Sequence, residues 1–181
     1  MRELVEAVSR VVLVGFMGSG KSAVGRALAR RLGYRFEDMD RRIERRTGRS
    51  IAAIFEEQGE ESFREEERRE AEALSDAARC VVATGGGAFA RTETRDVLRA
   101  GAVTVWLQCD LDTLLKRIPD DGRRPKAGNH AIMQALLAER EPSYRLADLT
   151  VDASRGTPAE VAHRIAGLIE RRIVGDRRPK R

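Results

Sequence analysis

Aromatic residues and cysteines are scarce in this 181-residue sequence, and it contains no long apolar run. Aromatic side chains make up only 4% of the chain, so a surface that stacks successive nucleic-acid bases is not expected. The two cysteines, Cys80 and Cys109, lie far apart, which is typical of small core residues rather than of a metal site or redox pair. No segment approaches the roughly 20 apolar residues that cross a bilayer, so we expect no membrane association.

The charge of the chain is mixed rather than concentrated. Its net charge is +5, but 34 basic residues are interleaved with 29 acidic ones, and residues 56–72 carry both signs on one predicted solvated helix. The basic end, about residues 175–181, is interpreted as a frayed solubilising tail. We therefore expect no nucleic-acid partner. The charged N-terminal stretch has no apolar signal-peptide core, which favours a cytoplasmic location.

Short apolar runs alternate with helical patterns along the chain. Continuous runs predict strands at residues 11–14, 36–39, 80–83, 102–107 and 149–151. Apolar spacing predicts helices at 23–32, 40–47, 50–58, 60–78, 93–100 and 111–118, another ending near 147 and a last one from 158. This alternation predicts one α/β domain over residues 1–181, with three layers and a parallel sheet. Turn formers and charges over about residues 118–129 indicate a mobile lid.

The glycine-rich turn after the first strand carries the strongest motif. Residues Gly15–Ser22 read G-F-M-G-S-G-K-S and match G-x-x-x-x-G-K-[ST] between a strand and a helix. Backbone N–H groups of such a turn cradle phosphate oxygens, while Lys21 reaches the β- and γ-phosphates and the Ser22 hydroxyl ligates Mg²⁺. Lys21 is one of four lysines beside 30 arginines. The motif predicts nucleoside triphosphate binding but leaves the phosphate acceptor open.

Base recognition by a GTPase is disfavoured, because the element Asn-Lys-x-Asp that reads guanine is missing. Asn129 is the only asparagine of the sequence, and no lysine follows it.

Four further elements bear on the acceptor: Phe36–Asp40, Gly59–Glu67, Gly85–Gly87, and Arg140 on the apolar stripe of its helix. Ligands collect at the carboxyl ends of parallel strands, where the first and third elements are predicted to lie. Each element also has a structural explanation, since acids before a helix often serve as caps and arginines on mixed helices are often solvated. No single element therefore identifies the acceptor.

Taken together with the P-loop, these elements resemble the shikimate kinase family over nearly the whole chain. Arg123–Pro125 and Glu139–Tyr144 extend the resemblance. It implies a kinase that moves the γ-phosphate of ATP to the 3-hydroxyl of shikimate in chorismate and aromatic amino-acid biosynthesis. It also implies a five-stranded parallel sheet of order 2-3-1-4-5, one Mg²⁺ per subunit bound with ATP, and a monomer.

The resemblance assigns roles to individual residues. Catalytic roles fall to Lys21, to Asp40 as base or orienter of the attacking oxygen, and to Arg124 on the lid, where it would stabilise the transferring phosphoryl group. ATP binding is assigned to Gly18, Ser19, Gly20, Lys21, Ser22, Ala23, Arg117, Arg124 and Arg155. Substrate binding is assigned to Asp40, Phe63, Arg64, Glu67, Gly85, Gly86, Gly87 and Arg140. Metal binding is assigned to Ser22 and, through water, to Asp38.

Within these sets, Arg64 and Arg140 would clamp the shikimate carboxylate, a task that suits planar and permanently charged guanidinium groups. Arg117 would pack on adenine with help from Arg155.

One departure from the family pattern concerns the lid. The family has two leucines after its Arg-Pro pair, whereas this sequence has Lys126 and Ala127.

Two alternative functions stay open at this point. One is a kinase for another small carboxylated polyol such as gluconate, and the other is a non-catalytic, basic nucleic-acid-binding module.

Overall fold

Five parallel strands form one sheet in the computed structural model, which describes residues 8–118 and 130–176, with side chains described up to residue 173. The order is β2-β3-β1-β4-β5, and every pairing is parallel. This order confirms the prediction. The strands are β1 (Arg10–Val14), β2 (Arg35–Asp38), β3 (Cys80–Ala83), β4 (Val103–Gln108) and β5 (Leu149–Asp152).

Helices connect the strands and cover both faces of the sheet. They are α1 (Lys21–Leu32), α2 (Met39–Thr47), α3 (Ile51–Ala73), α4 (Thr92–Arg99), α5 (Leu111–Arg117), α6 (His130–Tyr144) and α7 (Pro158–Asp176), with a short 3₁₀ turn at Ala88–Ala90. None of the helices in the described residues is both long enough and apolar enough to cross a membrane.

The alternation of side chains along β1 divides the apolar interior into two cores. Val11 and Leu13 pack with residues of α1 and α7 on one face. Val12 and Val14 pack with residues of α3, α4, α5 and α6 on the other. All four valine and leucine side chains are fully buried, as expected for a central parallel strand covered on both faces. The three-layer α/β/α architecture is therefore confirmed.

Several predicted boundaries need correction. Met39 opens α2 instead of closing β2, because the Asp38 side chain caps that helix by accepting a 3.3 Å hydrogen bond from the Arg41 N–H. The predicted break between two helices is real, since Gly59 has φ 80° and ψ 175° inside α3. The second of those helices ends at Ala73, before the predicted residue 78. There the N–H of Leu74 bonds the carbonyls of both Glu70 and Ala71, which tightens the last turn.

Helix α6 also ends earlier than predicted, at Tyr144 rather than near residue 147. Its end tightens in the same way, because the N–H of Leu146 bonds the Ser143 carbonyl and that of Ala147 bonds the Tyr144 carbonyl.

The cysteines behave as predicted. Cys80 and Cys109 are buried and form no disulfide, and burial raises the pKa of both thiols. Both are therefore protonated core residues at neutral pH.

The parallel arrangement brings the carboxyl ends of all five strands to one edge of the sheet. β1 runs into the glycine-rich turn, β2 into Asp38 and β3 into the glycine run Gly85–Gly87. The segments after β4 and β5 lie at the same edge. This edge is where ligands bind in open parallel sheets.

Candidate active site

The turn between β1 and α1 is shaped by glycines that adopt backbone angles unfavourable for other residues. Gly18 and Gly20 have φ of 80° and 92°, a region that glycine enters without a steric penalty. A Cβ atom at Gly18 would also lie 2.8 Å from Cγ1 of Ile118 at the end of α5. Gly20 precedes α1 with no side-chain cap among the described residues. The first N–H groups of α1 thus face the turn, as in an anion-binding helix terminus.

Lys21 places a positive charge at the centre of this turn. Its side chain is 8% exposed, and Nζ donates 2.8 Å hydrogen bonds to the carbonyls of Gly15 and Phe16. Since these two carbonyls belong to the turn itself, Lys21 is held over the cradle that the backbone N–H groups form.

Ser22 and Asp38 form the oxygen pair next to this lysine. The Ser22 hydroxyl donates a 2.6 Å hydrogen bond to Oδ2 of Asp38, which joins the first turn of α1 to the end of β2. Hydroxyl and carboxylate oxygens are the hard ligands that Mg²⁺ prefers, and Mg²⁺ typically takes one or two protein groups together with phosphates and water. In the described part of the chain no cluster of three metal-ligating side chains occurs, which agrees with such a sparse site. The residues therefore fit Mg²⁺ bound with a nucleotide.

A cavity of about 200 Å³ lies on the outer side of the turn. Arg117 is held at its edge by donating 2.8 Å and 3.0 Å hydrogen bonds to the carbonyls of Ala153 and Ser154. A guanidinium fixed in this way presents a flat face for a planar ring. The lining includes Ser19, Gly20, Ala23, Val24, Arg117, Ala153, Gly156, Pro158 and Val161.

Ser19 and Arg155, which are also predicted to bind ATP, lie near the cavity, but the described residues show no side-chain contact that supports this role. The Ser19 hydroxyl is buried and has no hydrogen-bond partner within the described residues, while the Ser19 N–H donates a 3.2 Å hydrogen bond to the Phe16 carbonyl. Arg155 precedes Gly156 of the cavity wall, and its carbonyl accepts a 3.0 Å hydrogen bond from Arg164.

The glycine run after β3 is the meeting point of the predicted acceptor residues. A Cβ atom at Gly85 would lie 2.9 Å from Oδ1 of Asp40 and would overlap Oε1 of Glu67. At Gly87 it would overlap the guanidinium of Arg64, whose Cζ would be 2.7 Å away. Only residues without side chains allow this approach. The structure therefore brings together Asp40 from α2, two residues of α3 and the end of β3.

Gly86, in the middle of the run, touches both halves of the site. A Cβ atom there would lie 3.3 Å from the backbone nitrogen of Met17 in the phosphate turn and 3.5 Å from Nη1 of Arg140. The Arg140 side chain is buried and its guanidinium lies over the Phe16 ring, 5.7 Å from the ring centroid. The predicted inward direction of Arg140 is thus confirmed, and one residue separates this arginine from the phosphate cradle.

Glu67 is the most buried charged group of the pocket, with 1% exposure. Its Oε2 accepts a 2.6 Å hydrogen bond from Arg64, which also pairs with Glu60. Burial raises the pKa of Glu67 to about 7, against the opposing effect of Arg64; nearby Asp40 raises it further and Arg140 lowers it. Oε1 is buried without a hydrogen-bond partner among the described residues. The pocket therefore holds an acceptor atom available to a polar ligand.

Phe63 packs in the small apolar core between α2 and α3, next to the pocket. It is buried against Ile43 and Ile54, and its ring lies 4.6 Å from that of Phe55. The Arg64 guanidinium is 5.4 Å from the Phe63 ring centroid. Phe63 thus fixes α3 against α2 and leaves the charged residues facing the glycines.

Apart from Ile118, the predicted lid of about residues 118–129 lies outside the described residues. This includes Arg124, the other residues of its Arg-Arg-Pro element, and the pair Lys126 and Ala127.

One residue at the site was not assigned a role from the sequence. The hydroxyl of Tyr144 donates a hydrogen bond to the Gly86 carbonyl. The sequence signal was present, because Tyr144 follows Arg140 by one helical turn on the same apolar stripe.

The phosphate cradle and the arginine-lined pocket meet at a single glycine, and this arrangement on a parallel α/β sheet defines a P-loop kinase. The shikimate kinase family model matches residues 17–170. The chain belongs to the shikimate kinase family.

Individual relatives agree with this placement. A shikimate kinase of Nitrobacter winogradskyi is 46% identical over 167 residues, which cover 90% of this chain and 78% of that protein. The structure of shikimate kinase from Acinetobacter baumannii in complex with shikimate superposes with a TM-score of 0.90 at 35% identity, covering 95% of this chain and 98% of that one. A gluconokinase from Sinorhizobium meliloti has a TM-score of 0.62 at 21% identity over 95% of this chain and 99% of that one, a likeness of fold alone.

Proposed function

We propose that this chain transfers the γ-phosphate of ATP to the 3-hydroxyl of shikimate, giving shikimate 3-phosphate and ADP. The observation that carries the proposal is the position of Gly86. Its Cα faces the Met17 nitrogen of the phosphate turn and Nη1 of Arg140 at the same time. An acceptor carboxylate held by that arginine therefore places the rest of a small ring beside the γ-phosphate.

The nucleotide occupies the turn and the cavity beside it. Lys21 and the N–H groups at the start of α1 neutralise the phosphates, and the adenine ring lies against Arg117 and Ala23, with Arg155 nearby. Ser22 would ligate Mg²⁺ and Asp38 would hold it through water, and the bound ion would supply positive charge to the β- and γ-phosphates.

The acceptor occupies the pocket across the glycine run. Arg64 and Arg140 bind its carboxylate through charge-assisted hydrogen bonds. Asp40 orients the attacking hydroxyl and accepts its proton, and the unshared Oε1 of Glu67 accepts a hydrogen bond from a neighbouring hydroxyl. Binding both partners close together contributes most of the rate, because phosphoryl transfer depends mainly on positioning and electrostatics.

Arg124 supplies the remaining charge in this proposal. Arg124 lies outside the described residues, and the family resemblance assigns to it the stabilisation of charge on the transferring phosphoryl group. We further propose that the chain acts as a monomeric single domain without a nucleic-acid partner. Among the described residues, the large apolar side chains that are exposed are Ile132 and Leu146.

A coupled assay of ADP release tests the proposal. The purified chain should release ADP from MgATP with shikimate, and not with gluconate or without an acceptor. Lys21→Ala should abolish the reaction while the protein stays folded, since the Gly15 and Phe16 carbonyls that accept hydrogen bonds from Nζ belong to the turn itself. Lys116→Ala, which changes an exposed lysine of α5, is the matched control.

Two other outcomes would contradict the proposal. ADP release that depends on gluconate would support a kinase for another polyol. Salt-sensitive binding of RNA or DNA without ADP release would support the non-catalytic alternative.

A further inference from the structure

Tyr144 is completely buried at the end of α6, yet it carries a polar group. Its ring packs in the core that covers α3, α4 and α5, with the Trp106 ring centroid 6.1 Å away. Burial raises the pKa of Tyr144 to about 12, and the adjacent Arg140 guanidinium opposes this. The phenol therefore stays protonated at neutral pH and can donate its proton in a hydrogen bond.

The acceptor of that hydrogen bond is the Gly86 carbonyl. The same peptide unit carries the N–H of Gly87, and the chain has no cis peptide bond in its described part. In a trans peptide the C=O and N–H point in opposite directions. With its oxygen held by Tyr144 in the core, this peptide directs the Gly87 N–H away from the core.

Both glycines of this peptide contact an arginine of the acceptor pocket. Gly87 lies against the Arg64 guanidinium, and Gly86 lies against Nη1 of Arg140. Neither glycine has a side chain that would fix the peptide plane, and glycine has the widest range of accessible backbone angles. The Tyr144 hydroxyl thus restrains the surface against which both guanidinium groups rest.

We propose that Tyr144 is a positioning residue of the acceptor site, which fixes the Gly86–Gly87 peptide so that Arg64 and Arg140 meet the acceptor carboxylate in register. The inference rests on the proposed function, because it assumes that these arginines bind that carboxylate. Its effect is specific to the acceptor. The cavity proposed for the nucleotide is lined by other residues.

Tyr34 provides a matched control for the loss of a buried tyrosine hydroxyl. It is the only other tyrosine of the chain, it is buried, and its hydroxyl donates a 2.5 Å hydrogen bond to the Val8 carbonyl. Tyr34 belongs to the opposite core, beneath α1 and α7. Tyr144→Phe and Tyr34→Phe therefore remove the same chemical group, and only the first removes it beside the acceptor pocket.

The test measures steady-state kinetics of ADP release for the wild type and the two variants. Tyr144→Phe should raise the KM for shikimate by up to roughly 10-fold, the loss expected for one neutral hydrogen bond. The KM for ATP should stay within about twofold of the wild type, as should both constants of Tyr34→Phe. A KM for shikimate that is unchanged in folded Tyr144→Phe would overturn the inference.

A double-mutant cycle separates positioning from a general loss of stability. If Tyr144 acts through the carboxylate clamp, adding Tyr144→Phe to Arg140→Ala should change the KM for shikimate much less than it does in the wild type. Equal factors in both backgrounds would mean that the tyrosine acts elsewhere. Absence of shikimate-dependent ADP release in the wild type would contradict the proposed function itself, a result distinct from either outcome for the variants.

A spectroscopic measurement keeps the inference testable if Tyr144→Phe does not fold. In the Tyr34→Phe protein grown with 3-fluorotyrosine, Tyr144 is the single labelled residue. Its ¹⁹F resonance should shift on addition of shikimate. A resonance that does not move at saturating shikimate would show that the hydroxyl is not coupled to the acceptor pocket.

Discussion

The hydroxyl of Ser22 and Oδ2 of Asp38 lie 2.6 Å apart, which joins the start of α1 to the end of β2. The two groups come from separate predicted elements, and each fulfils a local role as well. Ser22 lies in the first turn of α1, while Asp38 caps α2. The pair gives the magnesium proposal a definite location.

Replacing Ser22 with alanine should make the enzyme dependent on higher Mg²⁺ concentrations. The variant loses one proposed oxygen ligand. Mg²⁺ requires nearly ideal octahedral coordination by oxygen atoms, so the ion should bind more weakly. We expect kcat to fall by at least about 10-fold at limiting Mg²⁺ and to recover in part as the ion is raised. ADP release across a Mg²⁺ series measures this, with Ser9→Ala at an exposed position as the control. An unchanged Mg²⁺ dependence would remove Ser22 from the metal site.

Arg64→Ala should weaken shikimate binding and leave ATP binding nearly unaffected. Loss of one charge-assisted contact costs roughly 1.5–3 kcal/mol, or about 10- to 150-fold in affinity. The matched control is Arg68→Ala on the same helix, whose guanidinium pairs with Glu65 and Glu72 at the surface. The measurement is KM for each substrate. If the ATP constant rose and the shikimate constant did not, the acceptor pocket would have to be placed elsewhere.

The phosphate turn and the sheet order could be predicted because they depend on local spacing and on family resemblance. The motif Gly15–Ser22 fixes its own surroundings, since only a strand and a helix can flank it. The convergence on the glycine run could not be predicted from spacing, because it results from packing between α3, α6 and β3. For Tyr144, the spacing from Arg140 indicates which side of the helix it occupies, but it does not reveal the carbonyl that its hydroxyl meets, 58 positions away in sequence.

The predicted boundary between β2 and α2 was wrong for a related reason. Met39 continues the apolar pattern of β2 in sequence, but the Asp38 cap determines where α2 begins. The Asp38 carboxylate accepts hydrogen bonds from both the Ser22 hydroxyl and the Arg41 N–H. One side chain therefore caps α2 and lies beside the proposed metal ligand Ser22.

Glu67 should make the unliganded protein less stable as the pH rises. Its pKa is raised to about 7 from an ordinary value of 4.5, chiefly by burial. Below pH 4.5 the carboxyl is protonated in both the folded and the unfolded chain, so its stabilising effect is fully present. As the pH rises toward 7 the unfolded chain loses the proton first, which favours unfolding.

The comparison for this prediction is Glu67→Gln, which retains the shape of the side chain and cannot ionise. Between about pH 4.5 and 7, the free energy of unfolding of the wild type should fall relative to the variant by roughly 1–3 kcal/mol. Urea denaturation at several pH values provides the measurement. A constant difference between the two proteins over this range would show that folding does not raise the pKa of Glu67.

Gly87→Ala should impair the acceptor site while leaving the fold nearly intact. Gly87 has φ −102° and ψ −14°, angles that alanine adopts without strain, so the backbone need not change. The added Cβ would overlap the Arg64 guanidinium, and the flexible arginine would move out of its place beside Glu67. We expect the KM for shikimate to rise at least about 10-fold and the KM for ATP to stay near that of the wild type. The midpoint of thermal unfolding should stay within a few degrees of the wild-type value.

Gly167→Ala in α7 is the control, because its Cβ would lie 3.5 Å from Arg171 Nη1, an ordinary contact. Should Gly87→Ala bind shikimate normally, the glycine would not be required for the position of Arg64, and the arginine could not be fixed by the approach that the structure shows.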